Sequence, residues 1–272
     1  MFDLLNEASN VKTNLLFAAV CGSSGAGKSH VAGTLPGKIL FLHLDSERHG
    51  SASASKSSGS VIAVCIDKDK SGNTLKADEA WKRGLDCLSP EVLKKAGIES
   101  VVLDGFTELE KLARATTKWA NLCSTGSGKH NSFAEGSSTI ALMDEYLRAL
   151  RNAQDKVGVH VVCTCILDVQ EIDDNGAVGV AKPRLSGYAV AEGLLQQMPD
   201  ILVIGKVKGK DGKSGRVFQT NADVTRVSKD QSGNVKKFIN FEPRLAGVTG
   251  ELPAFIKADF STIIEMKSKN GR

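Results

Sequence analysis

A chain of 272 residues, 41% hydrophobic and 24% charged, has the composition of a globular protein, which excludes a wholly disordered one. The net charge of +4 permits a polyanionic partner without requiring one. No apolar run approaches the roughly 20 residues of a membrane span, Met1–Thr13 lacks a secretory pattern, and neither cysteines nor histidines fall at metal-ligand spacing; the expectation is a soluble, cytoplasmic chain with reduced cysteines.

From the N-terminus, the first short apolar run is Asn14–Cys21. It feeds Gly22-Ser23-Ser24-Gly25-Ala26-Gly27-Lys28-Ser29, which fits G-x-x-x-x-G-K-[ST] throughout, and Ser29–Leu35 can open a helix. In such a P-loop the glycines let successive N–H groups turn toward phosphate oxygens. Lys28 then reaches the β- and γ-phosphates and the Ser29 hydroxyl ligates Mg²⁺. Gly22 to Ser29, with the adjoining His30, are therefore the candidate ATP-binding residues.

The second run, Lys38–Leu44, ends in acids, Asp45 and Glu47, which share a face on an extended segment. Ser51–Ser60 reads as a loop, Ser60–Cys65 as a strand and Thr74–Cys87 as a helix. Ser100–Leu103 is an apolar strand ending in Asp104, the Walker-B form for a carboxylate that holds Mg²⁺. Phe106–Leu122 has helical spacing, and its Glu108 competes with Glu47 as the base that activates water. Ser124–Ser138 reads as a loop and Thr139–Lys156 as an amphipathic helix carrying Leu142, Tyr146, Leu147 and Leu150 on one stripe. A strand over Gly158–Cys165 and a loop over Leu167–Gly187 follow. From Asp200 the rhythm changes to hairpins, one turning near Asp211-Gly212 and one at Ser232-Gly233-Asn234. In the first, Lys206, Lys208, Lys210, Lys213 and Arg216 form a basic run that also suits a solvated edge strand.

Alternating strands and helices predict an α/β fold: a mostly parallel sheet flanked by helices, with antiparallel hairpin strands at its C-terminal edge. No linker divides the chain, so one domain over 1–272 is expected, with a core of about 12–240 and a C-terminal extension over 241–272.

The P-loop, the strand ending Leu44-Asp45-Ser46-Glu47 and the strand Val101-Val102-Leu103-Asp104 together resemble the RecA-like recombination ATPases. The order of the later elements, Lys182-Pro183-Arg184-Leu185-Ser186-Gly187, Asp200 and Ser228-Lys229-Asp230, resembles the compact phage-encoded RecA-like ATPases of single-strand annealing and recombination. The resemblance implies Mg²⁺ and ATP as cofactors, Glu47 as the catalytic base and a homo-oligomer with ATP at the subunit interface. Lys229, or Arg226 near it, would reach a neighbouring subunit's γ-phosphate. It also implies DNA-stimulated hydrolysis, with single-stranded DNA held by two segments, about 118–138 and 166–187, in a bacterial host's cytoplasm. The sequence departs from RecA where a polar pair ends the strand after the long helix: Val162-Cys163-Thr164-Cys165 leaves only Thr164. Two alternatives stay open, a nucleotide-binding assembly or adaptor protein with slow hydrolysis and a small-molecule phosphotransferase.

Overall fold

A computed structural model describes residues 15–44, 61–169, 181–186, 188–195, 197–208, 214–219, 245–246, 248 and 255–270. The strands are β1 (Phe17–Gly22), β2 (Ile39–His43), β3 (Val61–Cys65), β4 (Ser100–Asp104), β5 (His160–Val169), β6 (Ala181–Pro183), β7 (Asp200–Lys208), β8 (Ser214–Gln219) and β9 (Phe255–Lys257). The helices are α1 (Lys28–Ala32), α2 (Ala77–Cys87), α3 (Pro90–Ala96), α4 (Phe106–Arg114), α5 (Thr117–Leu122), α6 (Glu135–Val157), α7 (Tyr188–Leu195) and α8 (Phe260–Asn270). Apolar runs without polar alternation need cover on both faces, and β1, β2 and β4 are buried along their whole length.

The strand order is β3-β2-β4-β5-β1-β7-β8-β9. Neighbours from β3 to β7 are parallel. The β7–β8 and β8–β9 pairs are antiparallel, as is the short pairing of β6 with the end of β5. This is the expected α/β sheet with antiparallel strands at its C-terminal edge. Side chains alternate across it. Phe17, Ala19 and Cys21 join one core layer with Trp81, Leu109, Tyr146 and Leu194. Leu16, Ala18 and Val20 join the other with Val31, Phe260 and Ile263. Among the described residues no helix is long and apolar enough to cross a membrane.

Local chemistry moved several boundaries. The helix expected over Phe106–Leu122 is two helices, because the Thr116 hydroxyl accepts from Trp119 N (3.1 Å) and caps α5 as a new start. The helix expected from Thr74 begins at Ala77, since Lys68 and Thr74 pair across a tight turn. Three helices were not anticipated, α3, α7 and α8; α3 carries its own signals, a Ser89 cap, Pro90 at its first position and Gly97 at its end. The Ser124–Ser138 segment is not all loop: Ser124 pairs with His130, and α6 begins at Glu135. Likewise β5 runs to Val169, into the segment expected to be a loop. The hairpin at Ser232-Gly233-Asn234 and the Ser51–Ser60 loop lie outside the described residues.

The C-terminal extension adds β9 to the sheet edge and lays α8 on one face. The buried Asp200 carboxylate holds it there, accepting from Lys267 Nζ (2.7 and 2.8 Å), Phe17 N (3.1 Å) and Ala246 N (2.9 Å). Asp200, grouped by resemblance with the later motif elements, thus sits at the amino end of β1. The P-loop leaves from the carboxyl end, about 16 Å away at strand rise.

Candidate nucleotide site

β1 delivers the chain at Gly22 into a loop whose Gly25 (φ 74°) and Gly27 (φ 96°) adopt the left-handed backbone that side chains disfavour. Ala26 N donates to Ser23 O (3.2 Å), closing the turn, and α1 starts at Lys28. The Lys28 ammonium donates to Gly22 O (3.0 Å) and Ser23 O (2.9 Å), so it lies folded over the loop. Ser29 and His30 follow in the first turn of α1. Cys21, the last residue before the loop, is buried; burial and then the Cys165 thiol push its own thiol up, leaving it protonated and uncharged at neutral pH.

Asp104 ends β4, and β5 lies between β4 and β1. Thr164 of β5 is the register partner of both Asp104 and Val20. Two strand spacings, about 10 Å, therefore separate the Asp104 strand from the P-loop strand. Both strands end at the same carboxyl edge of the sheet, where α/β folds bind ligands. The Asp104 side chain is buried and accepts from Thr164 Oγ1 at 2.5 Å, while that hydroxyl accepts from Gly105 N at 3.0 Å. Thr164, set beside the missing polar pair in the sequence, is spent on orienting the Asp104 carboxylate.

On the far side of β4, His43 of β2 is the register partner of Asp104, so β2 brings the chain to this same edge at Leu44. Asp45 and Glu47 lie outside the described residues, as do Arg226 and Lys229. The competing base, Glu108, stands in the first turn of α4 and pairs with Lys111 three residues on (2.9 Å). Its neighbour Glu110 is 4% exposed, and both its oxygens accept from Ser186 N at 3.0 Å. The segment after β6 is thereby tied to the helix that follows Asp104.

A family model described as an AAA domain matches residues 16–232, most of the chain. The chain belongs to this AAA-domain family. Membership makes it a P-loop ATPase domain that binds nucleotide, and the matched span carries the loop, Asp104 and Thr164. No curated protein matches the chain.

Sequence reasoning misses three contacts around the loop and the helix after Asp104: it gives Thr164 a different role, does not single out Glu110, and places Arg216 only in a basic run. Arg216 instead reaches back from β8 to donate from Nε to Ala26 O (3.1 Å), and a Cβ placed on Gly27 would lie 2.3 Å from that nitrogen. The strand carrying the lysines is also no simple edge: β7 pairs with β1 over Asp200–Val203 and with β8 beyond it.

The two segments assigned to DNA by resemblance are built differently. Around the first, Lys118 pairs with Glu145. Trp119 donates to Thr139 Oγ1 (3.0 Å) and lies under the Arg114 guanidinium. His130 and Arg114 both hold Glu135, at 2.9 and 2.6 Å. Phe133 is 97% exposed beside them. Of the second segment, residues 170–180 lie outside the described residues, and Arg184 N is bonded to Ile166 O (2.8 Å).

Proposed function

We propose that the protein is a Mg-ATP hydrolase of RecA type that works on single-stranded DNA in recombination or strand annealing. The observation that carries hydrolysis is the Asp104–Thr164 pair on β4 and β5, the second of which adjoins the P-loop strand. A carboxylate held in one rotamer can direct its free lone pairs at a fixed point near the loop. The Ser29 hydroxyl and the Asp104 carboxylate are hard oxygen donors of the kind Mg²⁺ takes. When bound, the ion would neutralise charge on the phosphates.

Within this reading the loop amides from Gly22 to Ser29 and Lys28 bind and orient the phosphates. Glu47, four residues along the chain from His43, the register partner of Asp104, activates the water. Lys229 from a neighbouring copy stabilises the transferring phosphoryl group, which makes the active species a homo-oligomer with ATP between subunits. What supports a nucleic-acid partner is the exposed Phe133, four residues along the chain from Lys129, an aromatic ring suited to stacking on bases with a cation close in sequence. Against that, Lys118 and Trp119 are committed within the fold.

One observation favours the second reading, a nucleotide-binding assembly protein with slow hydrolysis: the Thr164 hydroxyl is occupied by Asp104 and Gly105. It is therefore engaged away from sensing a γ-phosphate.

Steady-state ATP turnover with and without single-stranded DNA separates the two. Stimulation of tenfold or more supports the DNA-coupled enzyme. Tight ATP binding with turnover that DNA leaves unchanged supports the assembly protein. If Lys28→Ala bound and hydrolysed ATP like the wild type, the site assignment itself would be wrong.

A further inference from the structure

A side chain from the antiparallel edge of the sheet reaches the phosphate loop, and its footing is fixed on both sides. Arg216 stands on β8 as the register partner of Lys206 on β7. Its own carbonyl accepts from Ala258 N (3.1 Å), and two residues further on Phe260 N donates to Thr34 Oγ1 (3.0 Å), just past the end of α1. From there the side chain crosses to the loop and donates from Nε to Ala26 O (3.1 Å). A Cβ on Gly27 would lie 2.3 Å from Nε and 2.9 Å from both Cδ and Cζ, so the guanidinium packs where only a glycine leaves room.

We infer that Arg216 is a positioning residue for phosphate binding, acting through the Ala26–Gly27 peptide and not on the nucleotide itself. The inference rests on the nucleotide-binding reading of Gly22–Ser29. Ala26 O and Gly27 N–H belong to one peptide unit, and that unit is trans, so the two groups point in opposite directions. A cation on the carbonyl oxygen draws electron density from the nitrogen and makes the N–H on the far side a stronger donor. In a loop of this sequence such N–H groups are what cradle the phosphates. The bond also fixes the peptide between Gly25 (φ 74°) and Gly27 (φ 96°), two residues whose own backbone would leave it free to turn. Hydrogen bonds with one charged partner are the stronger kind. Lys28 makes two of them to Gly22 O and Ser23 O, so cations grip the loop at its start and, through Arg216, near its end. The antiparallel strands then have a use in the site: they hold the second of these cations in place.

The test removes the guanidinium and supplies it again. Binding of Mg-ATP and of inorganic tripolyphosphate is measured for the wild type, Arg216→Gln and Arg216→Ala, the last also in the presence of methylguanidinium or of neutral methylurea. Arg216 is exposed, so the variants should fold and an added ion can reach the gap. Arg216→Ala should bind both ligands roughly tenfold or more weakly, and by the same factor, because the effect runs through the phosphates. Methylguanidinium should restore most of that affinity and methylurea should not. Arg216→Gln, which keeps N–H donors without the charge, should fall between the other two proteins. In the ligand-free protein the Ala26 carbonyl carbon and the Gly27 amide proton should both resonate upfield in Arg216→Ala, a signature that a loss of global stability does not produce. Unchanged resonances overturn the inference, and so does rescue by both additives or by neither. A loss confined to ATP also overturns it, since that would put the contact on the nucleoside. Wild-type binding that the variants leave unaltered sinks the inference alone; a wild type that binds neither ligand brings down the nucleotide reading and the inference with it.

Discussion

Thr164 illustrates how much a single hydroxyl can carry. It accepts from Gly105 N and donates to Asp104, so it fixes both the carboxylate and the turn that launches α4. A hydrogen bond to a charged group contributes about 1.5–3 kcal/mol. Thr164→Val, which keeps the shape and removes the bond, should lower ATP turnover roughly 10- to 100-fold if Asp104 holds the metal as proposed. Magnesium-free ADP affinity should stay unchanged, and steady-state kinetics beside ADP titration checks both. His160 makes a different kind of prediction. Its Nδ1 accepts from Leu16 N at 3.2 Å, which needs a neutral ring, and burial followed by the nearby Lys267 charge lowers its pKa below the ordinary 6.5. Because the unfolded chain then takes up the proton first, stability falls as pH drops below about 6.5. Urea unfolding between pH 7 and 5 should show this loss, and His160→Gln should flatten it.

At the level of elements, α4 is the part that ties the site to the rest of the sheet. It starts from the Gly105 turn after Asp104, buries Phe106 and Leu109, and uses Glu110 to hold the backbone of Ser186. The return of the chain after β6 is thereby fixed to the helix adjoining the site. Glu110→Gln keeps an acceptor but loses the charge, while Glu110→Ala loses both. The Ala variant should raise hydrogen exchange at the Ser186 amide by roughly tenfold or more, and the Gln variant by less. Equal exchange in all three proteins would show that the segment is held by other contacts, such as Arg184 N to Ile166 O. The break between α4 and α5 follows the same logic of local chemistry, since the Thr116 cap outcompetes continuation of the helix.

Across the whole molecule, the two ends of β1 have different duties. The carboxyl end carries the phosphate loop, and the amino end is anchored by Asp200, which gathers β1, the Ala246 segment and α8 around a buried ion pair with Lys267. Removing one partner of such a pair strands the other charge, at a cost of about 3–5 kcal/mol. Lys267→Ala should lose stability on that order in urea unfolding. Asp200→Asn combined with Lys267→Met should recover part of it, because no bare charge remains buried. Nucleotide affinity of the folded variants should change little, given the length of β1 between the pair and the loop.

The parallel sheet, the P-loop and the Asp104 strand were legible in the sequence because each is a local signal. Near-continuous apolar runs report burial on two faces, and the octapeptide with its glycines reports a backbone geometry that few other residues can adopt. Helices α3, α7 and α8 went unread because none carries a long apolar stripe, and the α4–α5 break because one threonine decided it. Nothing along the chain indicated that Thr164 would face Asp104, that Glu110 would seize a backbone 76 residues away, or that Arg216 would lie on Gly27. Those contacts depend on strand order, which puts β5 between β4 and β1 and folds β8 back past β7 toward the loop. By itself the sequence determined that there is a phosphate loop on a parallel strand; only the tertiary structure decided which distant side chains complete it, because register across strands is a property of pairing and not of any one strand.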